Sequence, residues 1–203
     1  MSERKSHWEK VYETKGDFEV SWYQEVPNES LELVADLKLE NTAAIIDIGG
    51  GNSNFTAELL KQGYSNLSIL DISAKALERT KEKIGSIASV DFIVTDILDF
   101  QPKKQFDLWH DRAAFHFLTE EKQIQQYVDL VSNSIVSGGF FILSTFSTSG
   151  PLKCSGLYIS QYSKEKLESM FKNNFELVKS FETVHATPFE TEQNFIYTVF
   201  RKR

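Results

Sequence analysis

The apolar run Ala43–Ile48 ends in Gly49-Gly50-Gly51-Asn52-Ser53. This junction limits what the chain can fold into more than any other segment. A strand running into three consecutive glycines lets backbone approach a ligand closely, because no Cβ intervenes. The spacing of apolar residues predicts a helix over Asn54–Gln62, whose unpaired first-turn N–H groups would face the same point. Strand, glycine turn and helix in this order call for an α/β sheet that binds ligand beyond the carboxyl ends of its strands. Two phosphate loops do not fit. A dinucleotide turn, G-x-G-x-x-G, has Asn54 in place of its last glycine, and a Walker loop needs a Lys that does not follow these glycines. Asp47 points the same way, since a carboxylate at the strand tip repels pyrophosphate and suits a cationic ligand.

The rest of the chain repeats the unit. Further apolar runs at Leu67–Leu70, Val90–Val94, Phe106–Trp109 and Phe140–Ser144 alternate with helical spacing at Ala74–Ile84 and Glu120–Ser134. Ser53, Ser73 and Thr119 stand where N-caps belong, and Gly63 and Gly85 where helices should stop. After a helix at Lys164–Phe171, Phe175–Thr183 and Phe195–Phe200 follow without an intervening helix, which predicts a hairpin at the sheet edge. Helices at Glu3–Thr14 and Asn28–Leu39 precede the first strand. Repeats and linkers are lacking, so 1–203 reads as one domain, a cover over 1–40 and an α/β core over 41–203. The net charge of −7 argues against nucleic acid, and no apolar run is long enough for a membrane span or a secretory signal. A single Cys, Cys154, fits a reducing compartment. A soluble, cytoplasmic protein is expected.

Spacing adds two more acids. Asp71 follows Gly51 by 20 residues and ends the second strand, where a carboxylate would accept hydrogen bonds from both hydroxyls of a ribose. Thr95-Asp96-Ile97 ends the third, where a polar group can meet an adenine amino group while Ile97 packs on the ring. With these residues the chain resembles the class I S-adenosylmethionine-dependent methyltransferases, from Trp8 to the final strand. Asp47-x-Gly49-x-Gly51 resembles their first motif, Asp71 their ribose acid and Asp96 their adenine-side acid. Phe106-Asp107-Leu108-Trp109 resembles the start of their fourth-strand motif, and Ser137-Gly138-Gly139-Phe140 the turn before their fifth strand. Their first turn often has a third glycine where this chain has Ser53. The resemblance implies S-adenosyl-L-methionine as cofactor. It also implies a Rossmann-like, doubly wound, seven-stranded sheet, mostly parallel with an antiparallel last strand and helices on both faces. Cofactor contacts would come from Trp8, Tyr12, Trp22, Asp47, Gly49, Gly50, Gly51, Asn52, Ser53, Asp71, Ile72, Asp96, Ile97, Trp109 and His110.

The methyl acceptor should lie near Trp109-His110-Asp111-Arg112-Ala113-Ala114-Phe115-His116 and the N-terminal cover. His110, Asp111 and His116 are the candidate catalytic residues, since imidazoles suit proton transfer near neutrality. The alternatives are a structural Asp111–Arg112 ion pair and histidines that simply pack. Trp8-Glu9-Lys10-x-Tyr12, Trp22, His110-Asp111-Arg112 and Gly150-Pro151 resemble the thiopurine, thiol and halide branch, whose tryptophans flank the methionine end of the cofactor. That implies a small-molecule acceptor with a soft, thiol-like nucleophile. A group of protein-lysine methyltransferases shares the N-terminal His-Trp-x-x-x-Tyr, which leaves a protein substrate open, and a nucleoside-binding protein without chemistry is a third reading. Cys154 would be redox-sensitive if its pKa were depressed. The four scattered His residues give no metal-ligand spacing, and the oligomeric state is open.

Overall fold

The computed structural model describes residues 2–85 and 90–203. Helices α1 (Glu3–Thr14) and α2 (Asn28–Leu37) precede β1 (Ala44–Ile48). The chain then runs α3 (Phe55–Lys61), β2 (Asn66–Asp71), α4 (Ala74–Ile84), β3 (Val90–Val94), β4 (Phe106–Arg112), α5 (Glu121–Ser134) and β5 (Ile135–Phe146). A two-residue hairpin, β6 (Lys153–Cys154) and β7 (Leu157–Tyr158), leads to α6 (Lys164–Phe171), β8 (Phe175–Ala186) and β9 (Glu192–Lys202). Seven strands form one sheet in the order β3-β2-β1-β4-β5-β9-β8. Pairing is parallel from β3 to β5, while β9 runs antiparallel to both β5 and β8. This is a Rossmann-like, doubly wound sheet, and its strand order reverses between β1 and β4. At such a switch the loops that follow the two strands diverge and leave a crevice.

Successive residues of a strand face opposite sides. Ile46, Trp109 and Phe141 join a core with Tyr127 and Val131 of α5 and Phe171 of α6. Ile45, Leu108 and Ile142 join the opposite core with Leu31 and Val34 of α2 and Phe55 and Leu59 of α3. Helices therefore cover both faces, and the strands on each side of the switch are buried.

The edges of several elements differ from the sequence reading. β5 outruns its apolar core through pairing with β4 at Ile135 and with β9 as far as Phe146, and β9 outruns its own through pairing with β8 from Glu192 to Lys202. α2 stops at Leu37 because Lys38 turns left-handed, φ 51°. α3 starts at Phe55, whose N–H donates to Ser53 Oγ at 3.0 Å, and α5 starts at Glu121 behind Glu120, not Thr119. No helix among the described residues is long and apolar enough to cross a membrane.

α1 crosses α4 through polar contacts. Glu9 accepts from Ser73 Oγ (2.8 Å) and from the N–H groups of Ala74 (2.9 Å) and Lys75 (3.3 Å), so it closes the amino end of α4 from outside. Burial alone would lift this carboxyl, but those three donors outweigh it and hold Glu9 below the usual carboxylate range. Lys75 pairs with Glu13 at 2.6 Å, Arg79 donates to the Tyr12 carbonyl, and Lys83 pairs with Asp17 at 3.0 Å. Arg4 reaches Asp96 at 2.8 Å. Replacing Glu9 with Ala should cost about 1–2 kcal/mol, the range for losing a helix cap, and free α1 for proteolysis. Urea melts and timed trypsin digests check this; unchanged stability with an equally protected segment 1–20 would refute the clamp.

Candidate functional site

A cleft opens where the strand order reverses, in two adjoining chambers. The first is walled by Leu70, Asp71 and Ile72 after β2, Thr95, Asp96 and Ile97 after β3, and Arg112, Ala113 and Ala114 after β4. Arg4, Trp8, Tyr12, Trp22, Phe117 and Cys154 close it from above. The second holds Asp47, Gly50, Asn52, Ser53 and His110, and shares Tyr12, Trp22, Gly49 and Arg112 with the first.

Close approach explains the glycines. Gly49 is left-handed, φ 66°, and a Cβ on it would lie 2.9 Å from the Ala114 Cβ, so this turn and the one after β4 abut. A Cβ on Gly51 would come within 2.6 Å of Asp71 Oδ2 and 2.5 Å of the Ala76 Cβ. That space lets Gly51 N–H donate to Asp71 Oδ2 at 3.0 Å, while Ser73 N–H donates to Oδ1 at 2.8 Å. Each oxygen keeps one lone pair for a ligand hydroxyl. Burial pushes Asp71 up to about 6 against the pull of those two donors, and the charges of Asp47 and Glu9 add to the rise.

His110 is buried. Its Nδ1 lies 2.7 Å from Asp47 Oδ1, its Nε2 lies 2.9 Å from Ser30 Oγ on α2, and Phe55 stacks on the ring at 3.9 Å. Asp47 Oδ2 is buried without a partner among the described residues.

Asp111 and Arg112 do not pair. Being neighbours on a strand they face opposite ways. Asp111 turns toward α5, where its Oδ1 accepts from Ala114 N–H (3.0 Å) and Phe115 N–H (3.1 Å) and its Oδ2 from the Tyr127 hydroxyl (2.6 Å). Burial pushes it up to about 6 although all three donors oppose that. It shapes the turn in which Ala113 is left-handed, φ 69°. Arg112 faces the cleft. It donates to Tyr197 Oη (3.2 Å) and the Trp22 carbonyl (3.0 Å), both neutral, and its Nη2 is buried without a partner among the described residues.

Four expected site residues do not line the cleft. Trp109 is buried in the α5-side core, where its indole donates to Tyr127 Oη at 3.3 Å. Asp111 lies behind the cleft wall, as does Gly51, which acts through Asp71. His116 is fully buried against Phe146 and Phe117, and burial, then Arg112, pull it down to about 3. A neutral ring enclosed in this way does not reach a reacting atom in the cleft. Cys154 lines the cleft, but burial raises its thiol to about 11, the reverse of an activated cysteine.

Aromatic rings roof the cleft. Trp8 meets Phe117 (5.0 Å) and Trp22 (5.6 Å) edge to face, and Tyr12 lies 6.2 Å away on the same helix face. Asp96 carries a cation from α1, since Arg4 bonds its Oδ1 alongside Leu98 N–H. Arg4, Phe117 and the free edge of Arg112 are the parts of the site that sequence reasoning missed. Strand alternation would have separated Arg112 from Asp111, whereas nothing local marks Arg4. Among the described residues no cluster of His, Cys, Asp or Glu could hold a metal ion.

A family model described as a methyltransferase domain matches residues 45–139. Malonyl-[acyl-carrier protein] O-methyltransferase 2 of Ilyobacter polytropus is 35% identical over 108 residues, 53% of this chain and 40% of that protein. EEF1A lysine methyltransferase 2 of Danio rerio is 28% identical over 195 residues, 88% of this chain and 78% of that protein. The chain thus spans under half the length of the first relative and over three quarters of the second. Among solved structures, the N-methyltransferase NodS of Bradyrhizobium japonicum, in complex with S-adenosylhomocysteine, matches with a TM-score of 0.71 at 16% identity over 96% of this chain and 97% of its own. The 1,6-didemethyltoxoflavin-N1-methyltransferase of Burkholderia thailandensis matches with a TM-score of 0.74 at 17% identity over 98% and 87%. These two likenesses are likenesses of fold.

The raised carboxyls have a stability signature. Asp71 and Asp111 bind protons in the folded state at a pH where an unfolded Asp has lost them, so each stabilises the fold below about 4 and loses that contribution as pH rises through about 6. Asp71→Asn should therefore gain on the wild type by at most about 3 kcal/mol between pH 4 and 7. Urea unfolding across that window reads the difference; a constant gap would contradict the assignment.

Proposed function

We propose that the chain is a class I S-adenosylmethionine-dependent methyltransferase whose acceptor is a small molecule that reacts as an anion, a thiolate foremost. The cofactor, when bound, supplies an electrophilic methyl group on a sulfonium sulfur. The cleft fits such a molecule. Asp71 has two free lone pairs for ribose hydroxyls, Ile97 and Ile72 offer apolar surface beside Asp96 for an adenine, and Asp47 Oδ2 is an orphan acceptor for an ammonium. Trp8, Tyr12 and Trp22 provide aromatic faces for a sulfonium and exclude water from it.

Arg112 carries the acceptor reading. Its Nη2 is a cationic donor without a partner among the described residues, on a side chain that lines the first chamber with Trp22, Ala113, Phe117 and Cys154. A buried donor left unmade is costly, and a guanidinium prefers an anionic partner. Neither His110 of β4 nor His116 beyond it lies free in the cleft to remove a proton, because His110 is bonded at both nitrogens and His116 is enclosed. Both features suit a nucleophile that arrives deprotonated. The residues then have three tasks: Arg112 orients the anion, the aromatic roof excludes water, and the turn shaped by Asp111 sets the floor. Protein-lysine methylation is the second reading, favoured by the lysine methyltransferase relative that matches most of the chain. A lysine needs its amine neutral, and Arg112 offers it no acceptor.

Arg112→Met should raise KM for the acceptor about 10- to 100-fold, the worth of a charge-assisted hydrogen bond, with Arg112→Lys recovering part of it. S-adenosylhomocysteine affinity should change little. Labelled cofactor is incubated with a panel of thiols and carboxylates and with cell extract. Label confined to protein bands would favour the lysine reading, and an Arg112→Met defect in S-adenosylhomocysteine binding alone would assign the cation to the cofactor.

A further inference from the structure

Behind the orphan oxygen of Asp47 lies a linear chain of buried polar groups. Asp47 Oδ1 meets His110 Nδ1 at 2.7 Å, and His110 Nε2 meets Ser30 Oγ at 2.9 Å. Three elements take part: β1, β4 and α2. Ser30 is fully buried, and Asp47 and His110 are only 3% and 2% exposed. A carboxylate can only accept, so Nδ1 donates; with the ring neutral, the Ser30 hydroxyl donates to Nε2. Ser30 thus fixes the tautomer and His110 fixes the carboxylate, while Phe55 holds the ring plane. Asp47 Oδ2, which no group in the chain satisfies, sits against the Cα of Gly50, where any side chain would overlap it. A fully bonded carboxylate would need no ligand. This one is bonded on one oxygen only among the described residues, and Asp47 lines the second chamber.

We propose that Ser30 and His110 are positioning residues that hold Asp47 Oδ2 as a preset acceptor for the α-ammonium of the cofactor. The inference rests on the cofactor reading above and extends it to a serine on a helix outside the glycine turn. It assigns His110 no proton transfer to the acceptor. It also gives α2, which precedes the sheet, a role in ligand selection: with Nε2 unheld, the ring can present Nε2 instead of Nδ1–H to Asp47 or rotate away.

Isothermal titration of the full chain with S-adenosylhomocysteine and with its analogue lacking the α-amino group isolates the ammonium. Ser30→Ala should weaken S-adenosylhomocysteine about five- to tenfold, the worth of one buried hydrogen bond, and the deamino analogue less than about twofold. His110→Asn keeps a donor for Asp47 but none for Ser30. It should show the same selectivity, and the double variant should add nothing to either. Phe55→Leu, which loosens the ring without removing a polar group, should show the same selectivity in smaller measure. Equal losses for both ligands in Ser30→Ala, no loss for either, or additive effects in the double variant would each overturn the relay. Failure of the wild-type chain to bind S-adenosylhomocysteine would overturn the cofactor reading instead.

Discussion

The hydrogen bond from Gly51 N–H to Asp71 ties the turn after β1 to the tip of β2, and the cleft takes its shape from that tie. It exists only because Gly51 has no side chain between the turn and the carboxylate. Thr80 of α4 donates to the Gly51 carbonyl, so both polar groups of that residue are engaged by the β2–α4 unit. Gly49 meets Ala114 on the other side, which locks the first turn against the turn after β4. One glycine turn thus sets the spacing between three strand ends. The carboxylates that result are buried and costly, and burial leaves Asp71 titrating near 6. Donors from a bound ligand would relieve that cost.

The cover is held differently. α1 buries only Val11 and Tyr12, so apolar area does not anchor it. Its hold comes from Glu9 on the amino end of α4, from the Asp17 and Glu13 pairs, and from Arg4 on Asp96. Surface ion pairs contribute little singly, and salt screens them. Glu9 is the exception, because three donors converge on it at a helix terminus. Such a hold keeps the aromatic roof in register while leaving it easier to lift than any core element, as a pocket that must exchange its contents requires.

Much of this architecture could be read from the residues. Apolar runs and helical spacing marked every strand of the large sheet, and the hairpin without a helix announced the antiparallel edge. Strand ends escaped notice because pairing with a neighbour, not composition, decides where β5 and β9 stop. At the site, residues fixed by local turn chemistry were legible: Gly49, Asp71 and Ile97 all sit where a strand ends. Residues whose role depends on which face they occupy were not. Trp109, His110, Asp111 and Arg112 read as one stretch of the site, with His110 and Asp111 as catalytic candidates, yet the alternation of β4 sends Trp109 and Asp111 to the α5 side, and His110 and Arg112 toward α2 and the cleft. Applying the two-residue period to that stretch separates an ion pair that never forms. It does not reveal Ser30, whose meeting with His110 depends on how α2 packs.

Charge along the cleft follows from the same alternation. Acids stand at the ends of β1, β2 and β3, and among the described residues the unpaired charge of the cleft wall at the end of β4 is Arg112; Arg4, on the cover, is already paired with Asp96. The field therefore runs from negative to positive across the switch point. A positively charged cofactor would be drawn to the first half and a negatively charged nucleophile to the second. A sulfonium and an anion brought together lose their charges as the methyl group moves, so a water-poor pocket favours the transfer over the separated pair. An ammonium acceptor would gain nothing from that field until it had shed its proton, and His110 and His116 are occupied elsewhere. On the proposed reading, the polarity of the cleft, rather than any single catalytic group, would select the acceptor.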